Sequence, residues 1–492
     1  MRASVHHVVE VPKATSGFYK GYSKPIALMS KSAMIALVIW ALMFPLNANE
    51  VLSSGHVAGG TPEAVQSAFR YTFLHYGFHA WAVYVVTGLS LAYYAYTRGM
   101  PLTIRSTLTP ILGRYTNGLF GHVVDVLGVV ATILGVSVTI GFGVAQLVDG
   151  AYLISHMSWL MEGEPTDLTP SSLGLLVALG VIMALSIISA VSGVGRGVKY
   201  LSNLNMVLSL ILLSIFAFFG SFLFAKSPAQ FAATLPSVAE SLSSELYEGA
   251  TSAWGSFDSF RSELTGAAAQ LPDSAQHAAY DAGAQGRLFN WQSGWTTFYW
   301  AWWIAFSPFV GLFLASISRG RTIREFVVGC TIAPALVCFL WMVVLGGTAV
   351  DIELAGGANP SIVDASTTAK LFATLENILS GGFLKSVAVM CVVLILTFLV
   401  TSADSGILVM NTIMSGGSPT AGIKHRIVWG LILTGVIAAL IIAGHAGATA
   451  DPFEALKNAM IIGAFPFALV MLAMCAALAK AIYQDHHHHR LS

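Results

Sequence analysis

The sequence predicts an all-α protein that crosses a membrane many times. Three observations predict it: an apolar composition, apolar runs of membrane-spanning length, and an alternation of charge between successive connections. The chain has 492 residues, 55% of them hydrophobic and 10% charged, where a soluble domain carries about 25% charged residues. Runs of the ~20 apolar residues needed to cross a ~30 Å hydrocarbon core recur from end to end. Only helices and closed barrels satisfy their backbone in lipid, and runs this long mean helices. The expected surroundings are therefore a lipid bilayer. Formal net charge is zero, which offers no electrostatic case for a nucleic-acid partner.

Ten spans are predicted, near 32–49, 69–96, 121–147, 172–193, 201–224, 296–318, 325–350, 383–404, 427–445 and 460–479. Residues 1–27 read as a tail without the apolar core of a signal peptide, 28–482 as the membrane domain and 483–492 as a second short tail. With both tails cytoplasmic, 17 of the 24 Lys and Arg fall in inner connections and 19 of the 24 Asp and Glu in outer ones. That is the positive-inside pattern. In the long outer segment 225–294, Leu235, Val238, Leu242 and Leu246 repeat at helical spacing, as do Trp254, Phe257, Phe260 and Leu264. They predict amphipathic helices lying on the membrane or packed as an outer cap. The four cysteines lie in apolar segments at irregular spacing, with no disulfide or metal pattern.

No helix interior offers paired carboxylates, a Ser/His/Asp set or a clustered metal site, which argues against an enzyme. Aromatics are the informative feature. Five of the eleven tryptophans fall within 291–303. Trp291 and Trp295 fit an interfacial belt. Trp302 and Trp303 lie deeper, with Tyr299, Phe306 and Val310 continuing one face, and Pro308 and Gly311 are expected to interrupt the same helix. A broken helix beside aromatics is where a transporter holds its substrate, although membrane helices also accept Pro for packing alone. A second set lies on the second span, where Trp81 and Tyr84, three apart, share a face, with Tyr76 ahead of them; His75 and His79 there read as packed core residues. A quaternary ammonium has no N–H to donate, so aromatic faces must hold it, through cation–π attraction of roughly 0.5–2 kcal/mol per ring.

Two further features are open to two readings each. The hydroxyls of Thr401 and Ser402 could complete the oxygen shell of a small cation, or bond back to their own helix. Asp404, an acid near the expected end of its span, could be functional or structural.

Taken together, these stretches resemble the betaine/choline/carnitine transporter family. The strings that carry the resemblance are Trp295-Thr-Thr-Phe-Tyr-Trp-Ala-Trp-Trp303, Ser307-Pro-Phe-Val-Gly311 and Ser318-Arg-Gly-Arg-Thr-Ile-Arg-Glu325. Supporting strings are Gly60-Thr-Pro-Glu-Ala-Val, Thr72 to Tyr84, Leu201-Ser-Asn-Leu-Asn-Met206 and Thr401-Ser-Ala-Asp-Ser405. The similarity covers roughly 28–482.

The resemblance implies two inverted five-helix repeats and a homotrimer in a bacterial inner membrane. It implies alternating-access uptake of a quaternary-ammonium or sulfonium zwitterion such as glycine betaine, with sodium as coupling ion and no other cofactor. Choline and carnitine are the family's other substrates, and a sodium-independent exchanger or a non-transporting binder are the alternatives. The aromatic box would comprise Tyr76, Trp81, Tyr84, Trp302, Trp303 and Phe306, with Tyr299 beside it. The family more often has Trp at the places of Tyr76 and Phe306, which implies a shifted substrate preference. Its sodium site would use Phe398, Thr401 and Ser402, and Met206, where exchangers carry a basic side chain, leans towards symport. The family's second and third helices are not found between the first span and Gly60, so the first repeat is expected to be incomplete.

Overall fold

The computed structural model describes residues 69, 72–163, 168–192, 195–220, 261, 270, 272–276, 297–418, 422–445 and 453–491, with side chains from 200 onward in the fourth long helix and to 485 in the last. The predicted first span, the tail 1–27, Trp291, Trp295 and nearly all of 225–294 lie outside the described residues.

The described residues form a helical bundle. Its elements are α1 (Phe78–Thr97), α2 (Leu119–Ser155), α3 (Ser172–Ser192), α4 (Gly195–Phe219), α5 (Phe298–Ile317), α6 (Ile323–Trp341), α7 (Lys370–Ile378), α8 (Gly381–Met414), α9 (Ile423–His445) and α10 (Glu454–Leu491). A helical stretch at 72–76 leads into α1 and breaks at Gly77. Beyond α6 the chain continues through a π turn, Met342–Gly346, into a last helical piece, Gly347–Leu354. A two-residue antiparallel ladder pairs β1 (Met161–Glu162) with β2 (Thr169–Pro170).

Eight of these helical stretches are long and apolar enough to cross a membrane, and each coincides with a predicted span. The chain is therefore an all-α, multi-pass membrane protein. α1 matches a ninth predicted span but falls outside those eight, because His79, Trp81 and four tyrosines lower its apolarity; 15 of its 20 residues are buried inside the bundle. A helix sheathed in protein has no need of a lipid-like surface. α4 is the opposite case: 17% of its most apolar stretch is buried.

Several helices outrun their predicted spans. α8 holds 34 residues, about 50 Å at 1.5 Å per residue, against a hydrocarbon core of ~30 Å. Hydropathy registers only the part immersed in lipid, while the backbone stays helical beyond it. The extension corrects the reading of Asp404. It lies ten residues before the end of α8, is 1% exposed, and accepts a hydrogen bond from the Ser189 hydroxyl of α3 at 2.7 Å.

The motif Ser318 to Glu325 has a local cause. Gly320 takes φ 83°, the left-handed value that turns the chain out of α5. Thr322 then caps α6 in a reciprocal box. Its hydroxyl accepts from the Glu325 N–H at 3.1 Å, and Glu325 accepts from the Thr322 N–H at 2.8 Å.

α2 runs through the centre, packed against α5, α8 and α10, while α1 lies along α5. Small residues allow the close approach. A Cβ on Gly311 of α5 would stand 2.7 Å from Thr87 Cγ2 and 2.9 Å from the Gly88 backbone nitrogen of α1. On the other side of α5, a Cβ on Gly135 of α2 would stand 3.0 Å from the backbone at Ala305 and Phe306. α5 is thus held between two helices almost backbone to backbone.

Candidate functional site

α5 is continuous through Pro308, so the expected interruption is absent. Proline at 308 removes the N–H that would bond the Ile304 carbonyl, and the Ser307 hydroxyl donates to that carbonyl at 2.8 Å in its place. Ser307 also accepts from Thr87 Oγ1 at 3.2 Å, which ties α1 to the same point. The break lies at Gly77 instead, where the approach to α1 changes direction. There the His75 carbonyl accepts the Trp303 indole N–H at 2.7 Å.

That contact joins the two aromatic sets. Trp302 and Trp303 stack at 10° with centroids 5.2 Å apart. Tyr76 meets Trp303 edge-on at 5.5 Å, and Tyr84 meets it edge-on at 6.1 Å. Tyr299 lies nearly parallel to Trp302 at 6.3 Å, and the Tyr76 hydroxyl donates to the Tyr299 hydroxyl at 3.0 Å. Phe306 closes the inner end, 6.4 Å from Tyr84. Tyr76, Tyr84, Tyr299, Trp302, Trp303 and Phe306 are therefore brought together. Trp81 stands at the margin: its ring meets Tyr84 at 5.5 Å, and it packs with Phe73 and Phe339 on the side away from Trp303. His75 and His79 are buried, packed against Trp300.

The bundle adds residues that sequence reasoning passed over. Thr139 of α2 accepts the Trp302 indole N–H at 3.1 Å, so both tryptophans of the stack are pinned by their nitrogens. Phe142, one turn further along α2, lies 6.1 Å from Trp302 and stacks on Phe453 at 4.9 Å. Lys457 of α10 sets its ammonium 5.8 Å from the Phe142 centroid. A lone phenylalanine between Gly141 and Gly143 has no aromatic neighbour at helical spacing, so its own helix gives no sign of it.

What the cluster can do chemically follows from its rings. It offers several π faces in a water-poor setting, where a permanent cation is attracted to each without a proton being exchanged. Among the described residues, no group of three or more His, Cys, Asp or Glu could hold a metal ion.

The second candidate set lies on α8. Thr401 donates its hydroxyl to the Thr397 and Phe398 carbonyls, each at 3.0 Å. Ser402 is half-buried and the Phe398 ring is 47% exposed. Thr397, a turn before Thr401, donates to the Asn205 side chain of α4. Asn205 is buried, while its neighbour Met206 is 64% exposed on the outer face of α4.

Comparison with known proteins agrees with the geometry. The chain matches the betaine/carnitine/choline family of transporters over residues 25–487. It is 33% identical to the glycine betaine transporter OpuD of Bacillus subtilis, over 93% of this chain and 78% of that one. It is 35% identical to glycine betaine transporter 1 of Vibrio parahaemolyticus, over 86% and 70%. A third relative, a glycine betaine/proline/choline/ectoine transporter of V. parahaemolyticus, is 33% identical over 85% and 65%. The likeness reaches both aromatic helices and the hydroxyl-bearing helix together, and the chain belongs to the betaine/carnitine/choline family of transporters.

Proposed function

We propose that this protein is a secondary active transporter that takes up a quaternary-ammonium zwitterion, of which glycine betaine is the representative. The observation that carries the reading is the stacked Trp302–Trp303 pair with Tyr76 and Tyr84 edge-on to it. The relatives named for glycine betaine support the same substrate class. A trimethylammonium group seated against these rings would be held by their faces, at roughly 0.5–2 kcal/mol per ring. Sulfonium analogues meet the same requirement, since they too are permanent cations without a donor.

The coupling ion in this reading is sodium, carried as a co-substrate near Phe398, Thr401 and Ser402. Thr401 spends its proton on its own helix, and a hydroxyl that has donated keeps its lone pairs for a cation. Transport would proceed by alternating access, helix groups rocking around a site between α1 and α5. The protein would sit as a homotrimer in a bacterial inner membrane with both termini cytoplasmic, the orientation favoured by the charge of its connections.

A second reading is sodium-independent exchange. It draws on the same fact, that Thr401 is already bonded within α8. Uptake of radiolabelled glycine betaine into proteoliposomes, with and without an inward sodium gradient, tests both. Accumulation that requires the gradient supports symport, and counterflow without sodium supports exchange. Absence of both across betaine, carnitine and sulfonium substrates overturns the transport reading.

A further inference from the structure

We propose that Asp149 of α2 holds a small cation, sodium or a proton, when the connection ahead of α7 closes over it. The proposal rests on the transport reading above and deepens it, adding an ion site apart from the α8 hydroxyls. Asp149 is 6% exposed, and neither of its carboxylate oxygens has a hydrogen-bond partner. Its polar neighbour is the buried Thr368 in the connection ahead of α7, whose hydroxyl lies 3.4 Å from that of Ser366. An ionised carboxylate buried without a partner is among the costliest groups a fold can carry. In a membrane span such an acid is a functional candidate by default, and a bound cation removes the cost.

The charged groups on the elements packed around Asp149 are engaged elsewhere. Phe372 of α7 and Val392 of α8 press on the next residue, Gly150, where a Cβ would meet both at under 3 Å. On α7, the Lys370 ammonium donates to the Ile362 and Val363 carbonyls at 3.1 and 2.8 Å. Glu376, on the same helix, has His156 as its charged neighbour. In the ladder that follows α2, Glu162 pairs with His445 at 3.1 Å. On α8, the charged residue nearest in sequence to Val392 is Lys385, about two helical turns away. None of these groups is bonded to the Asp149 carboxylate.

Position gives the cation a task. Asp149 follows Phe142 by two helical turns, so it shares that side of α2 and lies about 10 Å further along the axis. It therefore stands beyond the aromatic cluster, near the α2 end that the charge of the connections places outside. With the Thr368 connection lifted, the carboxylate would stand in water and keep its charge. With the connection closed, the charge must be neutralised. Cation binding and closure of this end are thereby linked, because the cation has a higher affinity for the closed state. Sodium and a proton share the required chemistry, a positive charge small enough for a dry carboxylate.

The test measures the melting temperature of the full chain in detergent for the parent, Asp149→Asn and Glu376→Gln, the last as a control on the neighbouring acid. A cation held by the folded protein raises its melting temperature. One arm raises sodium about a hundredfold at fixed pH, and the other lowers the pH from about 8 to about 6 without sodium. In one arm the parent is expected to gain about 3 °C or more over Asp149→Asn, with Glu376→Gln following the parent. The arm that responds identifies the ion. Thr368→Val, which leaves the carboxylate in place, should reduce the same response and serves if Asp149→Asn fails to fold. Responses in Asp149→Asn and Thr368→Val equal to the parent's, or no response to either cation, overturn the proposal and leave the substrate reading intact. Betaine uptake into proteoliposomes is measured alongside. A parent that takes up no betaine overturns the transport reading, while the melting temperatures still decide whether Asp149 holds a cation.

Discussion

The Tyr76 hydroxyl donates to the Tyr299 hydroxyl across 3.0 Å, joining the chain ahead of α1 to the first turn of α5. The two rings stand 5.0 Å apart at an interplanar angle of 62°, so the bond fixes how far the two aromatic walls are apart. Tyr76→Phe keeps the ring and deletes the bond. The expected cost is about 1 kcal/mol of stability, with betaine affinity changed less than about fivefold. Thermal unfolding in detergent and a fluorescence titration check the two halves.

Trp303 is the ring on which most of the cluster converges, and its N–H is spent on the His75 carbonyl. Trp303→Leu should remove one cation–π face and loosen Tyr76 and Tyr84 as well. Affinity for glycine betaine should fall at least tenfold, the equivalent of ~1.4 kcal/mol. Trp81→Leu, at the margin of the cluster, should cost less. Titration of the two variants side by side ranks them.

Gly311 holds α5 against α1. In Gly311→Ala the new methyl would meet Thr87 and the Gly88 backbone at under 3 Å. Overpacking of this kind costs about 1–3 kcal/mol, and the shift would separate the two aromatic walls. A lowered melting temperature together with weaker betaine binding is expected. Gly435→Ala in α9 is the control, since a Cβ there meets nothing within 4 Å and should leave both unchanged.

Thr401→Val keeps the shape of the side chain and removes its oxygen. If sodium is carried there, the sodium concentration for half-maximal uptake should rise about tenfold or more, with betaine binding in saturating sodium little altered. Sodium titration of uptake in proteoliposomes reads this out, and an unshifted curve would remove Thr401 from the coupling site.

Asp125 of α2 binds the connection before it twice, through the Arg105 N–H at 2.9 Å and the Arg105 Nε at 2.6 Å. Its side chain is 4% exposed, so Arg105→Ala would take the guanidinium from a buried carboxylate and leave it the backbone N–H alone. The expected loss is ~3–5 kcal/mol. Asp125→Asn with Arg105 intact should lose less, because no charge is stranded in the carboxylate's place. Melting temperatures of the two variants check the order.

The amino-acid sequence by itself determined the class of the protein, the rough position of the spans that fall among the described residues, and which rings could meet. Those properties depend on composition and on the 3.6-residue period, both written along the chain. Trp302 with Phe306, and Trp81 with Tyr84, share faces because spacings of three and four residues must do so. Tertiary structure decided what spacing cannot express. Hydropathy stops where lipid stops, so it missed the length of α8 and made Asp404 look terminal. Proline predicts a lost backbone donor, yet only the neighbouring hydroxyl of Ser307 shows why α5 stays whole. Thr139, Phe142 and Lys457 reach the aromatic cluster from α2 and α10, far away in the chain. They meet it because glycines such as Gly135 let those helices close on α5, and contact across helices is a property of packing, which no single stretch of sequence contains.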